Sequence, residues 1–157
     1  MAKMPAEVED SITVRAPLTR VYKFFWDVVK SADCIEGIDR CEKAGKDTYR
    51  FLYEERSKGP VTMTVCYTAR YKGNGKDEIT FEGGDAEGDN TEVRGRIRLE
   101  SLGASETRVT LRQMLAPDTP IPRLMQGLLK SFVEQEAAAG LRKYLANVKK
   151  SVEKKAS

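Results

Sequence analysis

The sequence predicts an α+β domain in which a curved, antiparallel, seven-stranded sheet wraps around a long C-terminal helix, with a helical insert after the first strand. Three observations support this prediction. Consecutive segments alternate apolar and polar residues with period two, which is typical of strands with one buried face. Glycine or proline turns separate these segments. A single apolar stripe of period 3.6 then runs from Met125 to Val152.

The N-terminal elements are a strand and a helix. Residues 8–15 read VEDSITVR and predict the first strand. Pro17 follows at a position that suits the first turn of a helix, and apolar residues recur at helical spacing over residues 17–30. The next segment, SADCIEG, predicts a short helical turn that ends at Gly37.

Six further strands follow before the last helix. The run GNG after residue 72 is a hairpin signal, and Gly95 on an apolar face predicts a bulge or a sharp bend. Residues 116–122 contain prolines and predict a linker, and residues 122–152 predict a helix of ~45 Å. The six strands are predicted at residues 38–44, 48–56, 61–71, 78–82, 91–101 and 107–115.

The strand at 61–71 raises the question of function. Its odd positions from Val61 to Tyr71 are apolar, and its even positions are mostly threonine. Each strand has one apolar face, so the sheet needs a cover on one side only, and the C-terminal helix has the only large apolar stripe left to supply it. A curved sheet around one helix tends to leave space between them. We therefore expect a cavity beneath the helix.

Composition limits the class of protein. The 157 residues suit one domain, expected over residues 8–152, with flexible termini at 1–7 and 153–157. Hydrophobic residues make up 40% and charged residues 32%, with no apolar run long enough for a bilayer and no secretory signal, so a soluble protein is expected. Three cysteines without C-x-x-C spacing favour inert, reduced thiols and a cytoplasmic location.

The sequence contains no histidine, which removes the commonest general base and the usual zinc ligand. We predict neither a metal site nor a cofactor. The net charge of +3 is too small to suggest nucleic-acid binding. Residues 141–157 carry six basic residues and one acid. This basic end is either a solvated helix terminus or a contact site for anionic membrane or an acidic protein.

Two stretches carry a family resemblance. ITVRAPLTRVYKFFWD resembles the opening of the START and Bet v 1-like (SRPBCC) superfamily, whose architecture is the helix-grip fold. CIEGIDRCEKAGKDTYRF followed by KGPVTMT resembles the carbon monoxide dehydrogenase-associated branch of that superfamily, near the polyketide cyclase-like proteins, although Glu36 stands where that branch has proline. The resemblance covers residues 8–152. It implies a hydrophobic cavity for lipids, sterols, polyketides or quinone-like molecules, or a role as a protein adaptor.

The candidate ligand-binding residues are apolar or aromatic and lie in inward register. Methionine suits adaptable apolar surfaces, and a tyrosine hydroxyl can orient a ligand. Gln113 would be a buried amide that needs a partner. The same residues could instead form an ordinary core. The set is Tyr49, Phe51, Tyr53, Met63, Val65, Tyr67, Phe81, Val93, Ile97, Val109, Leu111, Gln113, Met125, Leu128, Leu129 and Phe132.

Charged residues outside this set are expected at the surface. Glu136 is the only carboxylate near the helix stripe that could face inward, and we expect it to face outward. An arginine row on the outer sheet face is either a salt-bridged, solvated surface or a site for an acidic protein. The row comprises Arg94, Arg96, Arg98, Arg108 and Arg112, with Glu92, Glu100 and Glu106 expected between them.

From these observations we expect a non-catalytic protein that binds or transports a small hydrophobic ligand between the sheet and the C-terminal helix. Tyrosine hydroxyls and Gln113 would orient the ligand. One alternative is a polyketide cyclase or aromatase-type enzyme with a tyrosine or glutamate as proton donor. The other is a protein adaptor with a vestigial cavity.

Overall fold

The computed structural model describes residues 2–3, 5–58, 61–119 and 123–154. Its elements follow the predicted order. They are β1 (Ala2–Lys3), β2 (Ala6–Val14), α1 (Leu18–Trp26), α2 (Val28–Ala32), β3 (Ile38–Gly45), β4 (Thr48–Tyr53), β5 (Arg56–Lys58), β6 (Val61–Met63), β7 (Cys66–Gly73), β8 (Glu78–Gly83), β9 (Thr91–Gly103), β10 (Glu106–Thr119) and α3 (Arg123–Lys154).

The main sheet is antiparallel and has the order β1-β10-β9-β8-β7-β4-β3, with β2 also paired to β10. Strands β1 and β2 contact successive parts of β10: β1 pairs near Thr119, and β2 pairs from Leu115 back to Thr107. Counted together as one position, they give the predicted seven-stranded sheet. The N-terminal segment expected to be flexible thus contributes Ala2–Lys3 and the first residues of β2 to the sheet.

The core lies between the inner face of this sheet and the C-terminal half of α3. Leu145, Val148 and Val152 of α3 are at most 1% exposed and belong to one buried cluster with Val14 of β2 and Val109 of β10. Each such side chain stabilises the fold by roughly 1.5–3 kcal/mol when fully buried. Helices α1 and α2 add Phe25 and further residues to the same cluster.

The predicted helix over residues 17–30 is interrupted. It divides into α1 and α2 at Asp27, whose φ and ψ are −81° and 77°. The Asp27 carboxylate accepts a hydrogen bond from the Lys30 N–H at 3.4 Å and so caps α2. Aspartate favours this role because its short side chain competes for backbone donors at a helix start.

The predicted strand over residues 61–71 also divides. Strand β7 stays in the main sheet, while β6 pairs with β5 in a separate two-stranded sheet. The side chain of Asn90 accepts from the Cys66 N–H at 2.9 Å and donates to the Thr64 carbonyl at 2.5 Å. These bonds occupy backbone groups that a continuous ladder would use. The predicted strand 48–56 divides in the same way. Its main part, β4, ends at Tyr53, and Arg56 begins β5, which pairs with β6.

The predicted linker over residues 116–122 is wrong at its start. Strand β10 continues to Thr119, with Pro117 opposite Thr91 of β9. Proline lacks an N–H, but the Asp118 N–H donates to the Asn90 carbonyl at 2.8 Å and keeps the chain on the sheet. Residues 120–122 lie outside the described part of the chain.

Among the helices described, none combines the length and the apolar character needed to cross a bilayer.

Candidate functional site

An aromatic wall covers part of the inner sheet face. Phe51 of β4 is the register partner of Tyr67 on β7, and their rings stack with centroids 4.9 Å apart. Tyr71 of β7 is the partner of Phe81 on β8, with centroids 5.2 Å apart. Alternation along each strand places these rings on one face, and each stacked pair adds about 0.5–1.5 kcal/mol. Phe51 also stacks on Tyr71 with centroids 6.4 Å apart, so the four rings form one continuous surface.

Gly95 makes room for this wall. It is the register partner of Phe81, and a Cβ atom on Gly95 would lie 2.2 Å from the Phe81 Cζ atom. The ring of Phe81 thus occupies the space that a side chain would fill. The register of β9 runs through Gly95 without a shift. Of the two predicted alternatives, a bulge or a sharp bend, the bulge is therefore wrong, and the glycine serves side-chain packing.

A small cavity, here called the inner cavity, lies between the aromatic wall and α3. Its volume is about 100 Å³. That space suits a few waters or one polar group of a ligand, because a water occupies about 30 Å³ in the liquid. Its lining combines rings and aliphatic side chains with the polar side chains of Ser31, Tyr53, Tyr67, Tyr71, Tyr144 and Gln113.

The tyrosine hydroxyls at the inner cavity are neutral donors. The Tyr53 and Tyr67 hydroxyls share a hydrogen bond of 3.1 Å. Burial raises the pKa of Tyr53 to about 12 and that of Tyr67 and Tyr71 well above 10. Burial also raises the pKa of Tyr144. These groups therefore keep their protons at neutral pH and can donate hydrogen bonds, but they do not act as bases.

A larger cavity, here called the vestibule, opens beside the inner cavity. Its volume is about 390 Å³, within the range of roughly 300–1,000 Å³ for small-molecule sites. Tyr53 lines both cavities and so lies between them. The walls are mainly apolar and come from β2, β10, α3 and the segment between β6 and β7. They include Ala6, Val65, Leu115, Pro117, Val133 and Ala137.

The rim of the vestibule is charged and mainly acidic. Arg56 lies 3.1 Å from Glu136, so that carboxylate faces outward as expected. Glu36 pairs with Lys143 at 3.8 Å. The third carboxylate, Glu54, has no ion-pair partner among the described residues. A molecule entering the vestibule therefore passes carboxylates before it reaches the apolar walls.

The structure brings together about half of the predicted site residues. Tyr53 and Val65 line the vestibule. Tyr49, Val93 and Val109 line neither cavity: the two valines are core residues, and Tyr49 packs edge-on against Tyr71. The side chains of Met63, Met125, Leu128, Leu129 and Phe132 lie outside the described part of the structure. The predicted residues that line the inner cavity are Phe51, Tyr53, Tyr67, Phe81, Ile97, Leu111 and Gln113.

Several lining residues were not in the predicted set. Tyr71 and Leu115 share the inward register of predicted residues, so the alternation itself could have found them. Ala6 was assigned to the terminus, and Ala137 is too small to mark a site by composition. Only the tertiary structure shows that these two alanines face the same cavity.

The arginine row on the outer sheet face is salt-bridged. Glu78 lies within 3.8 Å of both Arg96 and Arg98. Arg112 contacts Glu7 through two guanidinium nitrogens, at 2.8 and 2.6 Å. Of the acids expected between the arginines, Glu100 pairs with Arg108 at 3.8 Å. Such exposed pairs contribute little to stability because solvent screens them, and they support the solvated interpretation of this face.

Part of the basic C-terminal end is engaged within the fold. Lys149 donates to the Thr13 carbonyl at 2.8 Å and contacts Glu153 at 3.0 Å. Cys66 is 7% exposed, and Arg50 Nη2 lies 3.4 Å from its sulfur. Contact of the basic end with membrane or an acidic protein stays a prediction.

Comparison with known proteins gives a consistent match. Residues 5–153 match the family model described as polyketide cyclase / dehydrase and lipid transport. No curated protein matches the sequence significantly. A solved structure from Thermus thermophilus has a TM-score of 0.70 at 18% identity, covering 96% of this chain and 99% of that one.

Two further solved structures resemble this one. The Zhui aromatase/cyclase from a Streptomyces species has a TM-score of 0.64 at 18% identity, covering 97% of this chain and 93% of that one. A START superfamily protein from Mycobacterium smegmatis has a TM-score of 0.66 at 14% identity, covering 94% and 97%. At these identities the likeness shows a shared helix-grip fold.

Proposed function

The chain belongs to the polyketide cyclase/dehydrase and lipid transport family, and from this premise we propose that it binds or carries a small hydrophobic molecule without transforming it. The ligand would occupy the vestibule and reach the inner cavity with one end. The observation that carries this proposal is the apolar vestibule of about 390 Å³, which shares Tyr53 as a lining residue with the inner cavity and its neutral hydroxyls.

Burial of apolar ligand surface would drive binding. Transfer of such surface from water contributes about 25 cal/mol per Å². Two of the side chains that line the vestibule are small, Ala6 on β2 and Ala137 on α3, and so leave space for a ligand. The stacked rings of the aromatic wall would contact one end of the ligand, and a cavity that is already formed requires little additional ordering of the protein on binding.

A variant in which a large side chain fills the vestibule tests this proposal. Ala137→Trp would place an indole in the cavity, whereas Ala139→Trp would place the same group on an exposed position two residues along α3. We expect the wild type and Ala139→Trp to bind 2-acetylnaphthalene equally and Ala137→Trp to bind it at least tenfold more weakly. Equal binding by all three proteins, each checked for fold by circular dichroism, would place the ligand elsewhere.

Native mass spectrometry gives an independent check. A carrier purified without denaturation should retain a non-covalent small molecule, released by organic solvent and absent from Ala137→Trp. The wild-type protein failing to bind any apolar probe would contradict the proposal.

A cyclase-type enzyme is the second candidate, favoured by the hydrogen-bonded Tyr53–Tyr67 pair. Because burial holds both phenols protonated, one of them could donate its proton to a ligand carbonyl oxygen as an enol carbon of the same ligand attacks that carbonyl, and the proton released by the enol hydroxyl would restore the phenol. Turnover of a poly-β-ketone chain that is lost in Tyr67→Phe but kept in Tyr49→Phe would favour the enzyme. Tyr49 is the matched control because it lines neither cavity.

A further inference from the structure

We propose that the site selects neutral ligands that carry a carbonyl or hydroxyl group at the end entering the inner cavity, and that it rejects carboxylates such as fatty acids. This inference rests on the proposed function and specifies its ligand class. Its basis is the difference between the groups that line the inner cavity and those at the rim of the vestibule.

The polar groups of the inner cavity can both donate and accept hydrogen bonds. The bond between Tyr53 and Tyr67 uses one of their two hydroxyl hydrogens and leaves the other free. The Tyr71 hydroxyl and the Gln113 amide line the same cavity and have no hydrogen-bond partner among the described residues. Polar groups in such positions require water or a ligand group. A carbonyl can accept from them, and a hydroxyl can do both.

The inner cavity has no group that would neutralise an anion. Its lining, as far as the structure describes it, contains no lysine or arginine. A carboxylate there would lose its hydration without gaining a counter-charge, which is strongly unfavourable. The tyrosines already show this effect, because the same burial holds the pKa of Tyr67 well above 10. An environment that disfavours a phenolate also disfavours a guest carboxylate.

The opposite orientation is also unfavourable for an acid. A carboxylate left at the rim would meet Glu36, Glu54 and Glu136. Arg56, the one cation that lines the vestibule in the described structure, already contacts Glu136 at 3.1 Å. Like charges that line one opening repel a further charge of the same sign, so neither end of the site accepts a carboxylate.

A pair of probes of nearly equal shape tests the inference. 2-Acetylnaphthalene and 2-naphthoate differ by a methyl group in place of a carboxylate oxygen, and so by one charge at pH 7.5. Isothermal titration with the full chain should give at least tenfold tighter binding of the ketone. Equal affinities, or tighter binding of the acid, would overturn the inference and leave the proposed function standing. Absence of binding by both would overturn both.

A charge placed in the inner cavity should reverse the preference. Gln113→Lys adds an ammonium group at the cavity lining, and Gln135→Lys adds the same group on an exposed face of α3. We expect Gln113→Lys to bind 2-naphthoate at least tenfold more tightly than the wild type does, and Gln135→Lys to leave its affinity within twofold. An unchanged preference in a folded Gln113→Lys protein would contradict the inference, and the wild-type comparison decides it if that variant does not fold.

Discussion

Arg56 of β5 and Glu136 of α3 form a salt bridge across the mouth of the vestibule, with Nη1 and Oε2 3.1 Å apart. Strand β5 belongs to the separate two-stranded sheet, which forms no backbone ladder with the main sheet in the described part of the chain. The salt bridge therefore connects a small hairpin to the helix that covers the cavity. Both side chains are at least half exposed, so the pair adds little to global stability.

The first prediction concerns the rate of ligand exchange. Glu136→Gln should raise the association and dissociation rate constants of 2-acetylnaphthalene by up to about fivefold, because loss of up to about 1 kcal/mol at the mouth lets the hairpin move away more often. Stopped-flow fluorescence measures both constants. Glu100→Gln is the control, since it breaks an exposed pair on the outer face. Equal rates in both variants would show that the salt bridge does not limit entry.

The second prediction concerns Gly95. In Gly95→Ala the new Cβ would lie 2.2 Å from Phe81 Cζ and 2.9 Å from the Arg112 carbonyl oxygen, so both the ring and the backbone must move. We expect a loss of about 1–3 kcal/mol in the free energy of unfolding, measured in urea, and weaker ligand binding. Gly103→Ala, at the end of the same strand, meets no atom within 4 Å and should change stability by less than about 0.5 kcal/mol. Similar losses in both variants would exclude the packing explanation.

The sequence predicts the strands better than it predicts their partners. Alternation is local, so the strand that contains Tyr67 is found wherever its partners lie. The division between β6 and β7 depends on Asn90, which is distant in sequence and offers its side-chain amide to backbone groups at residues 64 and 66. The division of the first helix depends on a local cap at Asp27. The prediction gave more weight to the apolar stripe, which continues past that residue.

The cavity was predictable in kind but not in position. The inward register identified Phe51, Tyr53 and Tyr67 as neighbours of a hollow, and they line the inner cavity. The vestibule depends on the small side chains of Ala6 and Ala137 in its walls. Small residues give no periodic signal, so only the packing of β2 against α3 reveals the space.

The third prediction concerns alkaline pH. The folded-state pKa of Tyr53 is about 12, above the value of about 10 in the unfolded chain, and the pKa of Tyr67 and Tyr71 is also raised. The folded state therefore binds more protons above pH 10. This contribution to stability is complete below pH 10 and is lost as pH rises toward 12. Urea unfolding from pH 8 to 11.5 should show the decline.

Tyr53→Phe is the matched variant for this pH dependence. Its free energy of unfolding should fall less steeply with pH, because it lacks one phenol whose pKa is raised. Absorbance at 295 nm reports tyrosinate. Full ionisation of all tyrosines near pH 10 in a protein that stays folded would contradict the assignment of these groups to a shielded cavity.

The last prediction concerns the thiols. Burial, with the carboxylates of Asp33 and Glu42 nearby, raises the pKa of Cys41 to about 12. At pH 8 its thiolate fraction is then about a thousandfold lower than that of an ordinary cysteine, and the thiolate is the reactive form. Native protein should therefore carry almost no iodoacetamide label at Cys41 after an hour at pH 8, whereas urea-unfolded protein is labelled at the rate of a free thiol. Peptide mass spectrometry locates the label. Rapid labelling of Cys41 in the folded chain would show that the inner face of β3 is open to solvent.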